Sequence, residues 1–235
     1  MVDIRFNPEL FDIVHNFSKI TNTLVFRKSP DNKKVLLWMR NAASSFAFTI
    51  DAPVEYFDFP TKTFPIYNYA DFYKYFNNLN VMKMQMDESH ICMISNNSKL
   101  EYLLTTAAVL DPKTVLKEIN FGNVDFQFGL SKEDLDDISK MNSLLTAKVA
   151  RMFGNKDAVT IQIYMDKRSN LYEKNINITN LSNFTKDFDF SIFAQTFTML
   201  PSKQNYIIDV NCEGFVKFHF EKSNIDVNIY VGKMI

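Results

Sequence analysis

The chain has 235 residues, of which 46% are hydrophobic and 14% aromatic, and its 26 Lys and Arg nearly balance its 27 Asp and Glu. Its 5 glycines form neither a GxGxxG nor a GxxxxGK[ST] motif, which excludes the usual phosphate-binding loops of nucleotide-dependent enzymes. The apolar content predicts a large folded core, whereas a formal net charge of −1 gives no sign of a basic nucleic-acid-binding domain.

Four segments have the periodicity of amphipathic helices. Asn7, followed by a proline, predicts the start of the first helix, and a capping box of Ser131 with Asp134 predicts the start of the third. The second and fourth are placed at about 69–79 and 191–200. The predicted inward-facing residues are Leu10, Ile13, Val14, Phe17 and Ile20, then Tyr69, Phe72, Phe76 and Leu79, then Leu135, Ile138, Met141, Leu144 and Leu145, and finally Phe193, Phe197 and Leu200.

Stretches of alternating apolar and polar residues lie between the helices, as is typical of antiparallel strands. The clearest are 33–40, 45–50, 159–165, 215–220 and 225–231. The sequence therefore predicts an α+β fold with a strand majority, in which helices pack on antiparallel sheets.

The spacing of these elements indicates an internal duplication. The third predicted helix begins 124 residues after the first, and the fourth begins 122 residues after the second. We therefore predict two similar domains, 1–108 and 124–235, each with two helices, joined by a connector over 109–123. Coincident spacing in an unduplicated mixed chain is the alternative.

Several short segments along the chain carry a family resemblance through their order and spacing together. They are 13–17 (IVHNF) with Ile20, 130–135 (LSKEDL), 188–190 (FDF), 199–201 (MLP), 205–206 (NY) and 214–218 (GFVKF). With them the sequence resembles the DNA polymerase sliding clamps of T4-like phages, and through these the wider PCNA-like family of eukaryotic and archaeal rings. The resemblance covers nearly the whole chain at low identity, and none of its segments is a catalytic signature.

The resemblance implies that three subunits close into a ring of six domains, with twelve helices around duplex DNA. Two domains of two helices in each subunit give the same count. Edge strands at 100–106 and 172–179 would then pair head to tail between subunits. The expected interface residues are Leu100, Tyr102, Leu104, Tyr172, Ile176 and Ile178.

A ring that slides on DNA needs diffuse positive charge on its inner helices and no reading of base edges. The candidates lie opposite the apolar stripes or next to the helices. They are Arg5, His15, Lys19, Lys74, Lys132, Lys140, Lys148, Arg151, Lys186 and Lys203. His15 is weaker than a permanent cation, and Asp136 and Asp137 add negative charge near the third helix. An ordinary solvated helix face is the alternative for each residue taken singly.

The resemblance also implies a hydrophobic pocket for partner peptides, between the domains, under the connector and beside the last strand. The residues that this picks out are Val109, Leu110, Pro112, Val115, Leu116, Tyr230, Val231 and Met234. The alternative is that these side chains pack onto their own domains.

No catalytic arrangement is found, and neither a metal nor a cofactor is expected. His15, His90 and His219 are far apart in the sequence, and the acids at 133–137 fit the positive end of a helix dipole. The predicted function is a non-enzymatic processivity factor, a homotrimer on double-stranded DNA that binds a DNA polymerase and a clamp-loader ATPase in the cytoplasm of an infected bacterium. No membrane segment is expected. A monomeric polymerase accessory subunit of the same fold, and a phage structural or assembly protein, are the alternatives.

Overall fold

The computed structural model describes residues 1–41, 43, 45–87, 89–104, 115–116, 118–154, 158–166, 170–177 and 187–234. In this part of the chain, 17 strands and four α-helices form an α+β fold with antiparallel sheets, which confirms the predicted class. The chain divides into two compact units. Unit 1 comprises Met1–Ala43, Ala47–Lys117 and Glu221–Val227, and unit 2 comprises Ser44–Phe46, Glu118–Phe220 and Asn228–Ile235.

The first unit contains two helices and two groups of antiparallel strands. One group has the order β5-β1-β7-β8-β9, and the other has the order β4-β3-β2-β6. The elements are β1 (Val2–Phe6), α1 (Pro8–His15), β2 (Leu24–Lys28), β3 (Lys34–Arg40), β4 (Phe46–Pro53), a 3-10 turn (Val54–Tyr56), β5 (Phe57–Asp58), β6 (Thr63–Ile66), α2 (Tyr69–Leu79), β7 (Lys83–Met86), β8 (His90–Ile94) and β9 (Lys99–Leu103).

Aromatic side chains fill the core of unit 1. Phe11, on α1, is fully buried, and its ring centroid lies 5.1 Å from that of Phe57 and 5.0 Å from that of Phe76, both edge to face. Such pairs add about 0.5–1.5 kcal/mol to the free energy gained from the buried area. At the start of α1, the side chain of Asn7 accepts a hydrogen bond from the amide of Glu9 at 2.9 Å. Capping and ring packing together fix α1 on the sheet.

The second unit repeats the combination of helices and antiparallel strands. Its strand groups have the orders β13-β12-β11-β14 and β10-β15-β16-β17. The elements are β10 (Phe126–Leu130), α3 (Lys132–Leu145), β11 (Val149–Gly154), β12 (Ala158–Tyr164), β13 (Leu171–Asn177), β14 (Phe188–Phe193), α4 (Thr196–Met199), β15 (Tyr206–Asn211), β16 (Phe215–Lys222) and β17 (Ile225–Gly232). The last residues of β16 and the first of β17 belong to unit 1.

The structure confirms three predicted helices and corrects the fourth. The second helix spans Tyr69–Leu79 as predicted, and the third begins at Ser131, whose side chain accepts from the amide of Asp134 at 3.1 Å. The first ends at His15, so the segment up to residue 20 is a turn and not helix. The predicted helix at 191–200 is wrong, because its first residues complete β14 in register with β11, and only Thr196–Met199 is helical.

The predicted apolar stripe of α3 is also partly wrong. Leu144 is 76% exposed, whereas Asn142 is buried and donates a hydrogen bond from Nδ2 to the carbonyl of Ala194 at 2.8 Å. A buried amide is tolerated where its donor is paired. The inner face of α3 therefore turns away from Leu144 at its C-terminal end.

Candidate functional site

The histidine at the end of α1 packs on a tyrosine of α2, in surroundings that disfavour its positive charge. The His15 ring stacks on that of Tyr73 with centroids 4.0 Å apart, and the Tyr73 hydroxyl donates to Asp12 at 2.7 Å. Burial, and then the positive charge of Lys19, lowers the pKa of His15. Its buried Nδ1 has no hydrogen-bond partner in the described part of the chain. His15 therefore supplies shape to this surface rather than a permanent charge.

Six predicted DNA contacts are exposed cations that form no ion pair with any residue the structure describes. Such side chains remain free to neutralise phosphates and to release counterions. Lys74 and Lys140 lie on helices α2 and α3, and the others lie in adjoining strands or turns. The six are Arg5, Lys19, Lys74, Lys140, Lys148 and Lys203.

Two other candidates already have acidic partners. Arg151, on β11, donates from Nε to Asp189 at 2.8 Å and from Nη2 to the second carboxylate oxygen at 2.5 Å. Lys132 Nζ lies 3.6 Å from Glu133. In each pair the carboxylate partly neutralises the positive charge that would otherwise attract a phosphate. The remaining candidate, Lys186, lies outside the described residues.

The acidic start of α3 is offset by a lysine that sequence reasoning did not select. Lys174, on β13, lies 2.9 Å from Asp134 and 3.1 Å from Asp137, and hydrogen bonds to these carboxylates raise its pKa. Asp137, which the sequence marks as a source of repulsion, is therefore partly neutralised. Because Lys174 is distant in sequence and lies on a strand, helix periodicity gave no signal for it.

A cleft of about 310 Å³ between α3 and α4 is lined partly by hydroxyl groups and by Lys140. Ser139 donates to the carbonyl of Phe197 at 3.0 Å, and Ser143 donates to that of Ser139 at 3.0 Å. The first bond joins α3 to α4, whereas the second lies within α3. Asp136 also lines the cleft beside Lys140 and the two serines.

The two predicted interface strands lie at sheet edges. Among the described strands, β9 ends one sheet of unit 1 and β13 ends one sheet of unit 2. On β9, Leu103 is 67% exposed, and on β13, Leu171 is 53% exposed. An edge strand presents unpaired backbone donors and acceptors, which another chain can satisfy.

The named interface residues differ in exposure. Leu100, Tyr102, Leu104 and Tyr172 are partly exposed, whereas Ile176 is 5% exposed. The Tyr102 hydroxyl donates to the carbonyl of Tyr67. Ile178 lies outside the described residues.

The described end of the connector is attached to unit 1 by its backbone. The amide of Leu116 donates to the carbonyl of Trp38 at 3.0 Å, and Arg27 Nη2 donates to the carbonyl of Leu116 at 2.7 Å. Val115 forms an isolated antiparallel bridge with Met39. Both connector side chains are partly exposed. The other predicted pocket residues of the connector, Val109, Leu110 and Pro112, lie outside the described residues.

The pocket residues of the last strand have unequal access. Val231 is 2% exposed and belongs to the core, so its side chain offers no surface to a ligand. Tyr230, on the opposite face of β17, is partly exposed, and its ring lies 6.0 Å from that of Phe121. Met234 is also partly exposed, and its amide donates to the carbonyl of Ser191 at 2.8 Å. The accessible apolar surface here belongs to Tyr230, Phe121 and Met234.

Within the described residues, no group of three or more His, Cys, Asp or Glu side chains is placed to hold a metal ion. The helices of that same part of the chain are all too short or too polar to cross a membrane.

Neither a protein-family model nor a curated protein sequence matches the chain. Solved structures match it over its full length. A. fulgidus PCNA, solved with the C-terminal region of FEN-1 bound, is 13% identical, with a TM-score of 0.78 over 100% of this chain and 99% of that one.

Two further structures agree with this match. Proliferating Cellular Nuclear Antigen from Entamoeba histolytica is 15% identical, with a TM-score of 0.75 over 99% of this chain and 98% of that one. PCNA from Thermococcus kodakaraensis is 9% identical, with a TM-score of 0.77 over 99% of each chain. From end to end, the chain has the fold of the PCNA-type DNA clamps.

Proposed function

We propose that this protein is a sliding clamp that encircles duplex DNA and tethers a replicative DNA polymerase as its processivity factor. The observation that carries the proposal is the match of 99–100% of the chain to PCNA structures from three organisms. A tethered polymerase remains at high effective concentration near its template without a tight contact of its own with DNA. The two units would be the two clamp domains, joined by the connector over 109–123.

The distribution of charge supports a DNA-facing role for the helices. The whole chain has a formal net charge of −1, yet cations without acidic partners among the described residues lie on α2 and α3 and beside α1. Lysine side chains are flexible and contact phosphates without reading base edges, which suits a ring that must slide. We propose Lys19, Lys74, Lys140 and Lys148 as principal contacts, with Arg5 and Lys203 at the margins.

The edge strands support assembly into a homotrimeric ring. A β9 edge on one subunit and a β13 edge on the next would pair head to tail, and a closed ring leaves neither edge exposed. Leu103 and Leu171 would add apolar contact area beside the new backbone hydrogen bonds. Three subunits with four helices each would give the twelve helices that line the hole.

We propose that partner peptides bind beside the connector. The accessible residues are Val115 and Leu116 in unit 1, and Phe121, Tyr230 and Met234 in unit 2. The A. fulgidus relative, with the C-terminal region of FEN-1 bound, supports a peptide-binding role. A DNA polymerase and a clamp-loader ATPase are the proposed partners. The resemblance to clamps of T4-like phages supports a role in phage DNA replication in the bacterial cytoplasm.

Sedimentation velocity over a concentration series tests the assembly. We expect a species of three chains, each of 27.4 kDa, that dissociates on dilution. Leu103→Glu should shift it to monomer, because an unpaired carboxylate would be buried at the strand edge. Leu144→Glu, at a more exposed leucine on α3, is the matched control and should leave the trimer intact. A monomer at every concentration would refute the ring and favour the monomeric accessory subunit.

A further inference from the structure

Leu116, in the connector, is held by a guanidinium and a backbone carbonyl from two neighbouring strands. Arg27, on β2, donates to the carbonyl of Leu116 at 2.7 Å, and its guanidinium lies 5.7 Å from the ring centroid of Trp38. The backbone carbonyl of Trp38, on β3, accepts a hydrogen bond from the amide of Leu116 at 3.0 Å, and the Trp38 indole donates from Nε1 to Asp51 at 2.6 Å. Both backbone groups of Leu116 are thus paired with one site.

Arg27 is an unexpected residue for a purely structural role at this position. Its Nε is buried and has no hydrogen-bond partner in the described part of the chain. Burial lowers the pKa of the guanidinium, which the nearby Asp51 only partly opposes. A buried donor without a partner costs free energy, and an apolar side chain of similar length would avoid that cost. The compensating contact is the charge-assisted hydrogen bond to the carbonyl of Leu116.

We infer that Arg27 is a positioning residue for the connector, and this inference rests on the proposed peptide surface. It fixes the backbone of Leu116 on β3 and thereby sets the position of Val115 and Leu116, which are the unit 1 residues of the proposed partner surface. Arg27 donates to the carbonyl of Leu116, and the backbone carbonyl of Trp38 accepts from the amide of Leu116. Asp51 accepts from the Trp38 indole and so orients it beside Arg27. The Val115 bridge to Met39 continues the same attachment by one residue.

Amide hydrogen exchange in the intact protein, without DNA or peptide, tests this role. Arg27→Met should raise the exchange rate of the Leu116 amide by about tenfold, because a charge-assisted hydrogen bond is lost at the adjoining carbonyl. Arg27→Lys keeps a cation and should restore part of the protection. Lys34→Met is the matched control, since Lys34 lies 3.7 Å from Asp51 and has no contact with Leu116 among the described residues. It should leave exchange at Leu116 unchanged.

Trp38 is the single tryptophan of the chain, so its emission reports directly on this anchor. Arg27→Met should shift the emission toward that of a more solvated indole, and Arg27→Lys should shift it less. Unchanged exchange at Leu116 would overturn the inference. So would a general rise in exchange with a lowered Tm, which would make Arg27 a core contact only. These readouts do not depend on trimer formation, so they are independent of the proposed ring.

Discussion

Replacement of Lys19, Lys140 and Lys148 together by Glu should remove most of the attraction of the protein for duplex DNA. All three side chains are exposed and form no ion pair with any described residue, so the fold should tolerate the change. Each replacement changes the charge by two, which takes the formal net charge of the chain from −1 to −7. Each lost phosphate contact lowers the slope of log affinity against log salt by about 0.9, or about 2.7 for three contacts in one subunit.

Fluorescence anisotropy of a labelled duplex, measured over a series of salt concentrations, gives this slope. The matched control carries Glu at Lys33, Lys62 and Lys233, which are exposed and, unlike Lys19, Lys140 and Lys148, are neither on a helix nor within four residues of one. It has the same net charge, so it separates the position of the lysines from bulk repulsion. We expect the control to keep most of the wild-type slope. Equal losses in the two variants would refute the reasoning that the helix side of the protein faces DNA.

Three further substitutions test local features of the fold. Because burial lowers the pKa of His15 below its usual 6.5, the unfolded chain takes up this proton first and stability falls as the pH drops below that value. His15→Phe should flatten that part of the pH dependence in urea titrations on both sides of pH 6.5; an unaltered profile would contradict it. Asn142→Ala should lower the free energy of unfolding by about 1–3 kcal/mol, since the carbonyl of Ala194 loses its buried donor. A change near zero in denaturant unfolding would argue against this. Gly154→Ala places a Cβ 2.6 Å from a backbone oxygen and should lower the free energy of unfolding by about 1–3 kcal/mol. At Gly129 the nearest backbone oxygen would lie 4.0 Å from the new Cβ, so Gly129→Ala should lower it much less. Equal Tm values for the two variants would show that the strand adapts.

Elements whose bounds depend on one local pattern were predicted correctly. The second helix is bounded as predicted, because Asn68 and Asn80 cap it and its buried residues recur at helical spacing. The capping box at Ser131 likewise placed the start of α3 correctly. The predicted strand at 33–40 was confirmed to within one residue at its start, since alternation reveals a sheet with one buried face.

The prediction of the fourth helix was wrong because two periodicities overlap in one short segment. Phe188, Phe190 and Ile192 alternate with more exposed residues, as a strand requires. Phe193 and Phe197 are also four residues apart, as a helix requires. Pairing with β11 over six residues decides the outcome, and the partner strand lies far away in sequence. Local spacing could not show that pairing.

The candidate site could be predicted in part, because sequence shows which residues are charged but not which are already paired. Helix periodicity selected Lys140 as an outward cation, and its exposure agrees. Arg151 was selected because it follows helix α3 in the sequence, and its partner Asp189 comes from a strand far along the chain. The anchor made by Arg27 and Trp38 left no sequence signal, because its acceptor is a backbone carbonyl. Roles in DNA and peptide binding stay predictions.

A protein that encircles DNA is linked to it topologically, and this linkage can be measured. The protein is incubated with a nicked circular plasmid at a concentration where it is trimeric, then passed through a gel-filtration column at a salt concentration that screens phosphate contacts. A ring should remain with the circular plasmid and be lost once a restriction enzyme linearises it. Equal retention on the circular and linear forms, or on neither, would contradict the account.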